Sequence, residues 1–154
     1  MTTDQVTLVK TSFASIGPAA DAVATRFYAR LFALDPALRR LFHTDMREQR
    51  HKLMQMLAAI VDALDRPALI VAEVAALGQR HASYGVLAEH YLIVEEALLW
   101  ALAEELGERW TPELDAAWRA AYTLLAATMQ AASTLRHAPP DKPESPTSQG
   151  AGQP

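Results

Sequence analysis

Nowhere in this 154-residue chain do apolar and polar residues alternate as a half-buried strand requires, and every apolar pattern instead repeats with a period near 3.6. That spacing predicts helices and leaves no segment from which to build a sheet. Val6, Val9, Phe13 and Ile16 mark a first helix, and a second runs from Pro18 through Val23, Phe27 and Leu31. A short helix from Pro36 to Leu41 ends at Phe42. The cleanest stripe is Gln49, Leu53, Met56, Leu57, Ile60 and Leu64. A helix opened by Pro67 follows, and two long ones complete the set, with Tyr91, Val94, Leu98 and Leu102, then Leu114, Trp118, Tyr122, Leu125 and Met129. The expectation is an all-α domain of six to seven helices. No heptad or longer repeat supports a coiled coil or a solenoid.

Prolines punctuate these patterns. Pro18, Pro36, Pro67 and Pro112 each precede a helical run, where a missing N–H is tolerated because first-turn N–H groups lack intrahelical partners anyway. Asp35 and Thr111 stand just before two of them as capping side chains, while Gly85 and Gly107 follow apolar runs as C-terminal stops. The other five of the nine prolines (Pro139, Pro140, Pro143, Pro146 and Pro154) crowd into HAPPDKPESPTSQGAGQP, which has no aromatic and no aliphatic larger than alanine. Such a segment cannot offset the entropy of ordering. The predicted organisation is one domain over residues 1–137 and a disordered tail over residues 138–154.

Composition narrows the function. With 51% apolar residues the domain can bury a real core, and the absence of cysteine excludes disulfides, thiolate metal sites and covalent haem attachment through C-x-x-C-H. A cytoplasmic setting is expected, since MTTDQVTLVK has no basic region leading into an apolar core and no charge-free apolar run reaches about 18 residues. A net charge of −4 with acids and bases interspersed argues against nucleic acid as a partner.

The segment LGQRHASYG carries the most informative residue. Counting back from His81 at helical spacing gives Leu77, Val74 and Ile70, and all four fall in an arc of roughly 60°. The imidazole therefore belongs to an apolar face. His43 lies in a loop, His51 opposite the stripe of its helix, His90 beside the Tyr91 face and His137 at the start of the tail, so only His81 sits on a stripe. Taken alone, such a histidine is more often a core residue bonded to a backbone carbonyl. Gln49, however, begins another inward stripe, and two unpaired buried polar side chains would cost a few kcal/mol, about 1–3 each. One histidine is too few ligands for structural zinc, whereas a haem iron takes four in-plane bonds from porphyrin and needs only one from protein.

TRFYARLFALDPALRRLF, EQRHKLMQMLAAIV, LGQRHASYGVLAEHYLIVEEALLWAL and ELDAAWRAAYTLLAATM, in that order, resemble the bacterial single-domain haemoglobins and the globin module of flavohaemoglobins, over about residues 4 to 135. The resemblance implies a globin fold around noncovalent haem b. It makes His81 the iron ligand, and Tyr28 and Gln49 distal donors with Leu53 one turn beyond. Phe42 becomes the phenylalanine stacked on the haem, and Leu77, Val86, Tyr91, Val94 and Leu98 line the pocket. Lys52 and Arg80 stand where cations meet haem propionates, and a solvated helix face is an equal reading for both. For Tyr28 the residues alone favour an ordinary core aromatic. With the resemblance, its O–H and the Gln49 amide become two donors for dioxygen, which carries partial negative charge in such a pocket; carbon monoxide gains less.

Two departures bear on reactivity. Flavohaemoglobins pair the tyrosine matched by Tyr91 with a glutamate, and here Ser133 stands at the aligned position, so electron push toward the iron is expected to be weaker. The loop between Phe42 and Gln49 is also short. Oxygen binding is the leading expectation, with O2, CO and NO as ligands and a monomer or weak homodimer as the assembly. Nitric oxide dioxygenase is the enzymatic alternative, and in the absence of a G-x-G-x-x-G segment its reductase is expected to be a separate protein. A gas sensor and a haem-free helical interaction module are the remaining readings.

Overall fold

The structure, a computed structural model, describes residues 1–42, 45–83 and 87–137, and within these the side chains of all but Pro67, Glu73, residues 81–83 and residues 133–137. His43, Gly85, Val86 and the tail over residues 138–154 lie outside the described residues. Six α-helices are present among those described: α1 (Thr3–Ser15), α2 (Ala20–Leu34), α3 (Met46–Asp62), α4 (Pro67–Ser83), α5 (Ala88–Leu106) and α6 (Pro112–His137). Short 3-10 helices at Gly17–Ala19, Pro36–Leu41 and Gly107–Arg109 join them, and the described residues contain no strand.

Local chemistry sets most of the boundaries. The Thr2 hydroxyl accepts from the Gln5 N–H while the Gln5 side chain accepts from the Thr2 N–H, a reciprocal cap at the start of α1. Asp35 accepts from the Ala37 N–H at 3.1 Å and Thr111 from the Leu114 N–H at 3.1 Å, as their positions before proline predict. Asp45 opens α3 in the same way through the Arg47 N–H. His90, off the apolar face, accepts from the Leu87 N–H through Nδ1 at 2.9 Å and so caps α5. Gly107 ends that helix with φ at 55°, a conformation that side chains with a Cβ rarely adopt.

Three boundaries differ from the sequence expectation. Pro18 falls in the 3-10 helix Gly17–Ala19, and α2 begins only at Ala20; the tight turn lets the chain change direction before the longer helix starts. Leu64 keeps its buried place but lies past the end of α3, in the turn that leads to Pro67. His137, placed at the start of the tail, is the last residue of α6.

Helix α4 packs chiefly on α6, and α2 on α5; α1 also lies on α6, and α3 on α2. The α4–α6 pair is drawn close by a glycine. A Cβ on Gly78 would lie 2.6 Å from the Met129 Cα, inside van der Waals contact, so the two backbones touch where only a hydrogen fits. At the opposite end of the core, the buried Trp118 Nε1 donates to the Ser12 hydroxyl at 3.0 Å, and that hydroxyl donates to the Val9 carbonyl. Every polar atom in this small network has a partner, as burial demands.

Candidate functional site

Tyr28 stands in the middle of α2 and is 5% exposed. Gln49 occupies the first turn of α3, the helix that lies on α2, and donates from Nε2 to the Tyr28 hydroxyl at 3.1 Å. The phenol oxygen is thus an acceptor in this pair, and its own hydrogen has no acceptor among the described residues. Burial pushes the Tyr28 phenol above the ordinary tyrosine range, against a smaller downward pull from the Gln49 amide. The hydroxyl stays protonated and available as a donor throughout the physiological range.

Aromatic rings surround this pair. Phe42, in extended conformation just after the 3-10 helix Pro36–Leu41, meets Tyr28 edge-on with centroids 5.4 Å apart. Phe27 meets Tyr28 from the helix itself at 4.9 Å. Phe32, one turn after Tyr28, touches both Tyr28 at 5.9 Å and Phe42 at 5.5 Å. Phe32 has no place among the residues expected from the sequence. Its signal was the i, i+4 spacing from Tyr28 in RFYARLF, which puts both rings on one face.

Leu53 of α3, Leu77 of α4 and Val94 of α5 are half-buried and packed against the core, while Tyr91 and Leu98 of α5 are buried. His81 has its backbone in α4, one turn after Gly78 and on the same stripe as the buried Ile70 and Val74; its side chain lies outside the described residues, as does that of Ser133. The Tyr122 hydroxyl of α6 donates to the Tyr91 carbonyl, joining α6 to the first turn of α5. A tyrosine within an apolar stripe signals such a bond, because its polar tip needs a partner when buried. Lys52 is exposed and pairs with Glu48 one turn earlier at 3.3 Å, and Arg80 is exposed on α4.

No group of three or more His, Asp or Glu side chains able to hold a metal ion exists among the described residues. The polar groups here are donors, not a ligand cage, and the apolar rings of Phe27, Phe32 and Phe42 pack around Tyr28. Such a set fits a flat apolar group that brings most of its own metal ligands, with a small polar ligand held at the Tyr28 hydroxyl.

The profile of the globin family matches residues 25–129, more than half of the chain. The chain belongs to the globin family. This globin is 38% identical to the flavohaemoprotein of Bordetella pertussis over 122 residues, which are 77% of the chain but 30% of that protein. It is 35% identical to the flavohaemoprotein of Deinococcus radiodurans over 133 residues, 84% of the chain and 33% of that protein. The chain therefore spans about a third of the length of these relatives. Among solved structures it resembles an engineered carbene transferase made from a protein assigned as a nitric oxide dioxygenase of Rhodothermus marinus, with a TM-score of 0.81 and 30% identity, covering 90% of this chain and 96% of the other. The globin domain of flavohaemoproteins binds haem b, and the donor set of this globin agrees with that cofactor. No described helix is long and apolar enough to cross a membrane.

Proposed function

We propose that this globin reversibly binds dioxygen, carbon monoxide and nitric oxide at haem b held by His81, with Tyr28 and Gln49 as donors to the ligand. The observation that carries this reading is the Tyr28 hydroxyl, buried, fixed by the Gln49 amide at 3.1 Å and left with a hydrogen that no described residue accepts. Haem b would supply an iron able to bind a diatomic ligand, with His81 as the residue that would hold it. Tyr28 then orients and holds a diatomic ligand through its O–H, Phe42 keeps the ring of Tyr28 in place, and Leu53 shields the ligand from water. Leu77, Tyr91, Val94 and Leu98, together with Val86 outside the described residues, are proposed to complete the lining. Lys52 and Arg80 are proposed to meet the propionates, Lys52 by leaving its exposed pair with Glu48, a pair worth only about 0.3–0.5 kcal/mol. The domain is proposed to run through residue 137 with a tail beyond it.

Tyr28→Phe removes one buried hydrogen bond, worth ~1–3 kcal/mol, so dioxygen should leave roughly 5- to 150-fold faster. Carbon monoxide, less polar, should leave at nearly the original rate. Stopped-flow measurement of both dissociation rates checks this, and equal acceleration of the two gases would remove Tyr28 from the donor role.

Nitric oxide dioxygenation is the second reading, favoured by the flavohaemoprotein relatives and by the Rhodothermus structure. Each conversion of nitric oxide and dioxygen to nitrate takes up one electron, so sustained turnover needs a reductase. About one nitrate per haem is expected from the oxygenated protein alone, and many when a flavin reductase and reduced nicotinamide cofactor are added. One nitrate in both cases, with haem reduction confirmed spectroscopically, leaves oxygen binding as the function.

A further inference from the structure

The 3-10 helix Pro36–Leu41 and α2 are joined on their outer side by one side chain. Phe32, half-buried near the end of α2, is touched on one side by the Phe42 ring with centroids 5.5 Å apart, and the Arg39 guanidinium lies over it at 5.4 Å. Arg39 belongs to the 3-10 helix and Phe42 directly follows it, so the segment grips Phe32 from two sides. Phe32 also touches Tyr28 at 5.9 Å, and Tyr28 touches Phe42 at 5.4 Å. The three rings form a closed triangle of contacts. Two contacts are steep, with ring planes at 80° for Tyr28–Phe42 and 70° for Phe32–Phe42, the edge-to-face arrangement that the aromatic quadrupole favours.

We propose that Phe32 is a positioning residue of the ligand pocket: clamped between Arg39 and Phe42, it fixes the Phe42 ring against Tyr28 and thereby aims the Tyr28 hydroxyl. The inference rests on the donor role proposed for Tyr28. The Phe32 ring touches the ring of Tyr28 but makes no hydrogen bond to its hydroxyl, whose described partner is Gln49. It acts through the angle at which the phenol is held. A hydrogen bond weakens steeply once its donor angle falls away from linear, so a small rotation of the Tyr28 ring is enough to lose much of it. The exposed Arg39 contributes by covering the outer face of Phe32, a contact that leucine in place of phenylalanine would not support.

The test uses the full haem-loaded chain and two readouts: dioxygen dissociation, and the C–O stretching band of the carbon monoxide complex, which reports the electric field of the donors at the ligand. Phe32→Leu keeps an apolar side chain of similar reach but removes the ring. It should speed dioxygen release roughly 3- to 10-fold, a part of the effect of losing the hydrogen bond outright. The C–O band should broaden and move to higher frequency, toward its position in Tyr28→Phe. In the Tyr28→Phe background the same change should have little further effect, because there is no donor left to aim. Phe32→Tyr, which restores the ring, should return both readouts to wild-type values. Arg39→Met leaves the core untouched and should shift the band in the same direction by less, which keeps the proposal testable if Phe32→Leu folds poorly. An unmoved C–O band in both Phe32→Leu and Arg39→Met, or an effect of Phe32→Leu of equal size with and without the Tyr28 hydroxyl, overturns the positioning role while leaving Tyr28 as donor. If Tyr28→Phe itself leaves dioxygen release unchanged, the donor reading falls and this one with it.

Discussion

His81→Ala protein is expected to lose most of its affinity for haem and the normal Soret band with it. His81 belongs by helical register to the stripe of Ile70 and Val74, which are 4% and 1% exposed. Alanine at that register removes the side chain proposed to hold the iron. Removing only a hydrogen bond that supports a metal ligand typically costs about 10- to 100-fold in affinity, so losing the ligand itself should cost more. Haem transfer to a competing apoprotein measures the loss. Added imidazole, small enough to occupy the space the side chain leaves, should restore much of the spectrum. A Soret band and a haem transfer rate identical to wild type would show that another group holds the iron.

Gly78→Val is expected to lower the melting temperature by several degrees and to speed haem loss at the same time. A Cβ at this position would lie 2.6 Å from the Met129 Cα and 2.9 Å from its carbonyl carbon, both backbone atoms that cannot rotate aside. One helix must move away from the other. Overpacking of this kind costs typically ~1–3 kcal/mol, and the greater helix propensity of valine over glycine returns only a fraction, roughly 0.5 kcal/mol. His81, the proposed iron ligand, lies one turn after Gly78 on α4, so any shift of α4 against α6 is expected to disturb haem retention. Gly17→Ala is the control, since a Cβ there meets nothing within 4 Å and the change should leave haem retention untouched. Thermal unfolding followed by circular dichroism, with haem transfer in parallel, measures both effects. An unchanged melting temperature in Gly78→Val would mean that α4 and α6 do not approach as closely as the structure has them.

The helical elements were legible because their signals are local. Apolar side chains three and four residues apart share a face whatever the rest of the chain does, and capping side chains satisfy N–H groups two or three residues away. Asp35 and Thr111 therefore cap where their positions predict, and Gly107 ends α5 with the positive φ for which glycine is suited. Pro18 shows where the same reasoning stops: a proline announces a first turn but does not say whether that turn is α or 3-10, a choice made by the direction the chain must take next.

The inward registers of His81 and Gln49 can be read from spacing, whereas the donor role of Tyr28 comes only with the globin resemblance, which is carried by whole segments and their order. Which of those faces meet, and at what distance, belongs to the tertiary structure. The Gln49 amide reaches the Tyr28 hydroxyl because α3 lies across α2, and Phe32 joins Phe42 because the 3-10 helix folds back on α2. Ser12 and Trp118, far apart in sequence, find each other only when α1 docks on α6. Helix periodicity determines the direction in which a side chain points, since it follows from backbone hydrogen bonds within one segment. The separation between helices is decided by how side chains interlock across the contact, and at Gly78 by the absence of one, which no single segment encodes.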